Sequence, residues 1–486
     1  MYKLYYNGPI LTMEERAPRA EAVLTAGGKI AGVGSRAALL SACGGEAPEQ
    51  IDLEGRALLP AFLDAHSHFA AVASGLLQVA LDGAESFAEI EARIAAFLRE
   101  KRLPPGAWVL CKGYDHNVLA EKQHPDRRAL DRVSPENPVM LQHQSGHMGV
   151  FNSRALALLG VDERTEAPSG GSIGMEDGVP TGYMEENAFL AYQRAVPGPD
   201  MDALLAACGQ AQTRYASHGI TTVQEGMLPE ALIPLYRALL EQEALRLDVV
   251  AYAGAQDAAA VEAAFPEQLR RYARHFKLGG RKIFLDGSPQ GRTAWMRAPY
   301  EGSEEYCGYP TMTDEAVSGA VRAACGTGVQ LLAHCNGDAA AAQYLTALER
   351  AAREGLPVSA LRPVMIHAQL LGADQLGALR ALGVIPSFFI AHVYHWGDVH
   401  LQNFGPARAA RISPAGTATR MGVRFTFHQD APVIEPDMLE TVWCASCRLT
   451  RTGQALGPEE RIGVWDALRA VTLDAAYQYF EEDRKG

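Results

Sequence analysis

The sequence predicts an α/β protein: a (β/α)8 barrel of the TIM type, with a small N-terminal β-sandwich-like domain and a long insertion after the first barrel strand. Three observations predict it. Apolar runs of strand length recur from Ala57 onward. Many are followed by stretches rich in Ala, Leu, Glu and Arg that read as helices. Several of the runs end directly on His or Asp.

Residues 1–57 come first. Short strand-like runs at Leu4–Asn7, Glu21–Thr25, Lys29–Val33 and Gln50–Leu53 are separated by the turn signals Gly27-Gly28 and Gly44-Gly45. They form a partial sandwich ahead of a hydrolase-sized barrel over 58–486. The barrel strands are expected at Ala57–Asp64, Ile220–Gln224, Leu247–Tyr252, Arg281–Asp286, Val329–Ala333, Pro363–Ile366, Val384–Phe388 and Val423–Phe427. A ninth apolar run, Pro138–Gln142, is assigned to the insertion. Residues 70–217 are far too many for one β–α connection and are expected to form a lid or subdomain.

Composition excludes several classes of function. The chain has 44 Lys and Arg against 57 Asp and Glu, and its net charge of −13 includes no basic run suited to nucleic acid or anionic lipid. No apolar run reaches the roughly 18 residues of a membrane span. The first residues do not read as a signal peptide. The eight Cys are scattered, and Cys444 and Cys447 lie in a helical region with no second pair to complete a Cys₄ site. The expectation is a reduced, cytoplasmic protein acting on a small-molecule substrate.

The chemistry is concentrated at the ends of the apolar runs. Leu63-Asp64-Ala65-His66-Ser67-His68 closes the first, and alternate strand residues point the same way, so His66 and His68 can meet one metal. Val329–Ala333 runs into His334, Pro363–Ile366 into His367, and Val423–Phe427 into His428-Gln429-Asp430. A single His at a strand end is commonly structural. In a barrel the carboxyl ends of all strands share one rim, so these distant residues would be neighbours. Lys282 lies in Arg281-Lys282-Ile283-Phe284-Leu285-Asp286, where an ammonium is costly to bury. It either pairs with a carboxylate such as Asp286, reaches solvent at an edge, or stays neutral and becomes a carbamate bridging two metals.

These residues resemble the amidohydrolase superfamily of metal-dependent hydrolases, in its YtcJ-like branch that includes N-substituted formamide deformylase. The likeness rests on L-P-A-F-L-D-A-H-S-H at 59–68, S-G-H-M-G-V-F-N-S-R-A-L at 145–156 and G-V-P-T-G-Y-M-E-E-N-A at 178–188. It continues through K-I-F-L-D-G-S-P-Q-G-R-T-A at 282–294, H-C-N-G-D at 334–338, I-H-A-Q at 366–369 and D-A-P-V at 430–433. The resemblance implies metal ligands at His66, His68, His334, His367 and Asp430, with Lys282 as a carboxylated bridge. It implies one or two divalent ions, zinc by preference, and often a homodimer. His147 matches a lid motif and is placed over the substrate. Three departures stand out: Ala61 replaces the usual Gly, His428-Gln429 precede Asp430 where relatives commonly carry S-D-A-P, and the relatives' C-terminal strands that complete the sandwich are missing, so the N-terminal sheet is expected to be incomplete.

The expected reaction is hydrolysis of an amide-type C–N bond by metal-activated hydroxide, with Asp430 as proton shuttle and His147 at the oxyanion. Asp64 is expected to orient the His66 ring or to serve packing. Gln290, Arg292, Trp295, Tyr394 and Trp396 are the expected substrate contacts, set against ordinary ion pairing and loop packing. His392, His395 and His400 read as a polar wall with aromatic packing rather than as further ligands. The alternatives are a deaminase, esterase or lactonase on the same ligands, or a metal-stabilised binding protein without turnover.

Overall fold

The computed structural model describes residues 1–486. At the amino end, β1 (Tyr2–Leu11), β2 (Arg19–Ala26), β3 (Lys29–Gly34) and β4 (Glu49–Asp52) form a sheet of order β3-β2-β1-β4. Neighbours in it are antiparallel except β1 and β4, which run parallel. Alternation along β2 turns Ala22 and Leu24 inward, where they pack with Leu4, Leu39 and Cys43. Leu39 comes from the helix Arg36–Ala42, whose first turn is capped by the Ser35 hydroxyl accepting the Ala38 N–H.

The first strand of the main sheet, β5 (Phe62–Leu63), is shorter than the 57–64 run suggests. The reason is visible in the backbone. Leu58 donates to Pro9 O and accepts from Leu11 N–H, both at 2.9 Å, so the front of the run pairs with β1 instead. Pro60, without an N–H, ends that pairing before β5 begins.

Chain contacts divide the protein into two compact units, Ala70–Ala211 and the remainder, with the dividing line inside the helix Met201–Ser217. Within Ala70–Ala211, six strands make one sheet: β6 (Val79–Ala80), β7 (Val109–Tyr114), β8 (Val139–His143), β9 (Met148–Phe151), β10 (Gly171–Glu176) and β11 (Val179–Glu186). Buried Ile90, Ile94, Val109, Leu130 and Leu141 pack together on it, and Phe151, Met184 and Phe189 belong to a second cluster. The unit therefore has its own core.

The remaining strands are β12 (Ile220–Leu228), β13 (Asp248–Gly254), β14 (Phe276–Phe284), β15 (Gln330–Cys335), β16 (Val364–His367), β17 (Ile385–Phe388) and β18 (Thr426–Phe427). Together with β5 they form a curled parallel sheet of eight strands, hydrogen-bonded in chain order. Every run singled out in the sequence supplies one of them. Burial along β13, β16 and β17 is nearly continuous, as expected of parallel strands covered on both faces. β14 starts at Phe276, earlier than expected, because Lys277 and Gly279-Gly280 interrupt the apolar pattern without interrupting the strand. The Lys277 ammonium is buried, donating to Tyr479 O at 2.9 Å and pairing closely with Glu481.

Leu63, Val250, Leu332, Val364 and Ile385 meet in one interior cluster with Tyr479. Beyond the strands, His68 N–H donates to Ala431 O at 2.8 Å, and the His66 and His428 rings lie 5.2 Å apart. The segments after β5 and β18 are therefore adjacent. No helix is long and apolar enough to cross a membrane, and all eight cysteines are free.

Gly280 holds the closest strand approach beside Lys282. A Cβ there would sit 1.9 Å from Gln330 O on β15. Gly280→Ala is expected to destabilise the protein by about 1–3 kcal/mol or more, read as a lower midpoint of thermal unfolding.

Candidate metal centre

The main sheet brings His66, His68, Lys282, His334, His367 and Asp430 together at the carboxyl ends of five strands. The Nε2 atoms of His66 and His68 each lie 3.4 Å from Asp430 Oδ1, and His367 Nε2 lies 4.0 Å from Oδ2. His367 Nε2 faces His334 Nδ1 at 3.0 Å, and Lys282 Nζ approaches His66 Nε2 at 3.5 Å. One local feature makes this convergence possible. Val364 and Ile366 already face the interior, so strict alternation would turn His367 away. A left-handed backbone at His367, φ 72°, redirects its ring inward, and Asp430 adopts a similar φ of 54°.

Hydrogen bonds on the far side of the rings determine which nitrogens carry protons. Gln224 donates its Nε2 to Ala65 O and Tyr479 Oη, so its Oε1 faces His66 Nδ1 at 2.6 Å. An amide oxygen only accepts; His66 therefore carries its proton on Nδ1 and presents a lone pair at Nε2. The Gly287 carbonyl, 3.2 Å from His334 Nε2, likewise selects the Nε2–H form and leaves a lone pair on Nδ1. Asn336 Nδ2, which donates to the same carbonyl, lies 3.1 Å from that ring nitrogen.

Burial enforces neutrality on these imidazoles. It holds His66 and His367 well below the ordinary histidine range, and His334 at about 4, each assisted by nearby positive groups. His68 is the exception: burial pulls it down, but the facing Asp430 carries it above its usual value. Burial also opposes ionisation of Asp430, yet the surrounding imidazoles hold it well below the carboxylate range. Lys282 is pushed down to about 7 by desolvation. Its alternative partner Asp286 is committed elsewhere, accepting from the backbone N–H groups of Trp295, Asn336 and Gly337.

These donors fit a divalent cation. Asp430 Oδ1 is buried and has no hydrogen-bond partner, although it lies between two imidazole nitrogens. Neutral imidazole and carboxylate oxygen suit zinc and its neighbours in the first transition row.

The other expected residues are placed as follows. Asp64 accepts from the His66 backbone N–H at 3.3 Å; the His66 ring is oriented by Gln224, not by Asp64. Gln290 Oε1 is buried without a partner, whereas Arg292 donates to Glu301 O at 2.9 Å. Trp295 lines an outer groove of about 310 Å³ with Arg297, Ala342, Gln343 and Thr346. Trp396 packs on Phe389, whose ring contacts His367 and His428, while Tyr394 packs on Trp443. His392 and His400 pair with each other at 3.1 Å, and His395 reaches Glu440 at 2.8 Å. His147 belongs to the Ala70–Ala211 unit, where its Nδ1 lies 3.2 Å from Glu186.

That unit contains a second cluster, Asp115, His116 and His143. Its proton positions are opposite. The Ser145 backbone N–H donates to His143 Nδ1 at 3.1 Å, so the ring proton sits on Nε2, the nitrogen facing His116 at 3.2 Å and Asp115 at 3.5 Å. Asp115 already accepts from Asn117 and Gln144. This is a hydrogen-bonded cluster rather than a set of free donors.

Imidazoles and one carboxylate thus converge at strand ends of a curled parallel sheet as the donors of a candidate metal centre. The chain belongs to the amidohydrolase family, whose model matches residues 49–486. Within it the chain falls in the YtcJ-like branch. It is 26% identical to YtcJ of Bacillus subtilis (strain 168), covering 100% of this chain and 92% of that protein. It is also 26% identical to N-substituted formamide deformylase of Arthrobacter pascens, covering 97% and 88%. An uncharacterized metal-dependent hydrolase from Pyrococcus furiosus shares the fold, with a TM-score of 0.80 at 23% identity over 99% of this chain and 96% of that one.

Sequence reading missed Gln224, because an amide within a strand carries no periodic or motif signal.

Acid should destabilise the metal-free chain. His66, His367 and His392 titrate well below 6.5, His334 and His400 at about 4 and His428 at about 3. Between pH 6.5 and 4 the unfolded chain binds more protons at these six sites, so stability falls as pH falls. Asp64 and Asp286, raised to about 7, and Asp474, raised to about 6, oppose this at three sites. The thermal midpoint of chelator-treated protein is expected to drop across that window; a rise would contradict the proton assignment.

Proposed function

We propose that the protein hydrolyses an amide-type C–N bond of a small organic molecule, with N-substituted formamides and cyclic amides as the substrate class. The observation that carries this reading is the buried Asp430 Oδ1, without a hydrogen-bond partner and 3.4 Å from the Nε2 atoms of both His66 and His68. Its support is the family membership and the likeness to a formamide deformylase. The same reading takes the curled sheet as a closed (β/α)8 barrel, with its site at the carboxyl rim.

His66, His68, His334, His367 and Asp430 would hold one or two divalent ions, zinc by preference. When bound, the cation supplies Lewis acidity, acidifying water and polarising the substrate carbonyl. Lys282, shifted toward the free amine by desolvation, could add its Nζ to carbon dioxide, forming an N–C bond and releasing a proton to solvent; the carbamate anion would then be a further oxygen donor for the cation. Asp430 takes the proton of the attacking water and delivers it to the leaving nitrogen. Gln224, through His66, keeps the lone pair turned toward the site. Gln290, with its buried free Oε1, offers an acceptor for a substrate N–H, and Trp396 on Phe389 offers an apolar wall.

Elemental analysis of the purified protein is expected to find stoichiometric divalent metal that His66→Ala loses. Asp430→Asn should lower kcat on a responsive formamide about 10²–10⁴-fold. Full metal occupancy with no turnover of any amide, formamide or cyclic amide would refute the proposed reaction.

A further inference from the structure

Ser387, His428, His367 and His334 form an unbroken buried chain. Ser387 Oγ lies 2.9 Å from His428 Nδ1, His428 Nε2 lies 3.2 Å from His367 Nδ1, and His367 Nε2 lies 3.0 Å from His334 Nδ1. Ser387 and His428 have no solvent exposure. The chain ends at His334 Nε2 and the Gly287 carbonyl, which can only accept.

With His334 protonated on Nε2 toward the Gly287 carbonyl, two proton arrangements satisfy this geometry. In the first, every donor points toward Gly287: Ser387 O–H to His428 Nδ1, His428 Nε2–H to His367 Nδ1, His367 Nε2–H to His334 Nδ1. All facing pairs then share one proton, but His367 has none of its lone pairs free for a cation. In the second, His367 donates Nδ1–H to His428 Nε2, and His428 donates Nδ1–H to the Ser387 hydroxyl. His367 Nε2 and His334 Nδ1 then face each other at 3.0 Å as two lone pairs, an arrangement that needs a cation beside them. The reversal is possible because a hydroxyl both donates and accepts, and because an imidazole moves a proton between its nitrogens without net charge.

We infer that His428 and Ser387 are positioning residues forming a reversible tautomer relay, which turns His367 from a hydrogen-bond donor into a metal ligand when a divalent cation arrives. The relay rests on the metal site proposed above. Besides His367, the rings packed on His428 are those of Phe389 and His66.

The test is zinc affinity of the full chain by competition with a chromophoric chelator, for the parent, His428→Leu and His428→Gln. Leu removes the acceptor for His367 Nδ1–H, and zinc should bind about 10–100-fold more weakly. Gln restores an acceptor oxygen on a side chain of similar reach, and affinity should return to within a few-fold of the parent. Thermal unfolding of the three metal-free forms controls for packing, because a purely structural loss would not be rescued in affinity by Gln alone. If His428→Leu fails to fold, Ser387→Ala replaces it and is expected to weaken zinc about 10-fold, since His428 Nδ1–H then lacks its acceptor. Equal zinc affinity in the parent and in a folded His428→Leu or Ser387→Ala overturns the relay while leaving the metal site intact. A parent chain that binds zinc no better than His66→Ala overturns both.

Discussion

Desolvation of ionisable side chains at one end of the eight-stranded sheet is the constraint on which the rest of this structure depends. Four histidines, a lysine and an aspartate are placed where water is largely excluded. Charged imidazolium and ammonium are unfavourable there, so His66, His334 and His367 are neutral, His68 alone is raised by Asp430, and the lysine is shifted toward a free amine. Neutral nitrogens with lone pairs, beside one ionised carboxylate, are the donors a divalent cation requires. Burial therefore does more than pack the protein, since it sets the protonation state of the site.

Holding such a cluster in place requires a scaffold that is itself rigid. The parallel strands are buried on both faces, and the interior cluster around Leu332 and Val364 lies directly beneath the ring of donors. The C-terminal segment contributes from the same interior: Tyr479 donates to Asp64 O at 2.5 Å and accepts from Gln224, whose amide then fixes the His66 tautomer. A residue near the end of the chain thus helps to orient a candidate ligand nitrogen near its beginning. The contrast with Asp115, His116 and His143 shows that residue type is insufficient. There a backbone N–H occupies the outer ring nitrogen of His143, and the proton is left on the inner one.

Much of this was legible in the residues. The eight main strands were found because parallel strands covered on both faces are short uninterrupted apolar runs. His66, His68, His334, His367 and Asp430 were found because each follows such a run, and Lys282 because an amine inside one is conspicuous. Extents were read less well. β5 lost its front half to pairing between Leu58 and β1, a long-range choice that hydropathy does not encode. β14 gained residues because Lys277 is neutralised by Glu481, more than two hundred positions away. Gln224 and Ser387 were invisible as functional residues, since an amide or hydroxyl inside a strand has no pattern of its own.

The amino-acid sequence by itself determined which chemical groups stand at the strand ends, because the hydrophobic pattern dictates where strands stop and side-chain identity is local. It determined likewise that the chain has the composition of an acidic α/β protein and the motifs of its family. Only the tertiary structure decided which way each ring faces and which nitrogen carries the proton. The left-handed backbone at His367, the amide of Gln224 and the carbonyl of Gly287 make those decisions. They are contacts between segments far apart in the chain, and a tautomer depends on what lies opposite the ring rather than on what adjoins it in sequence.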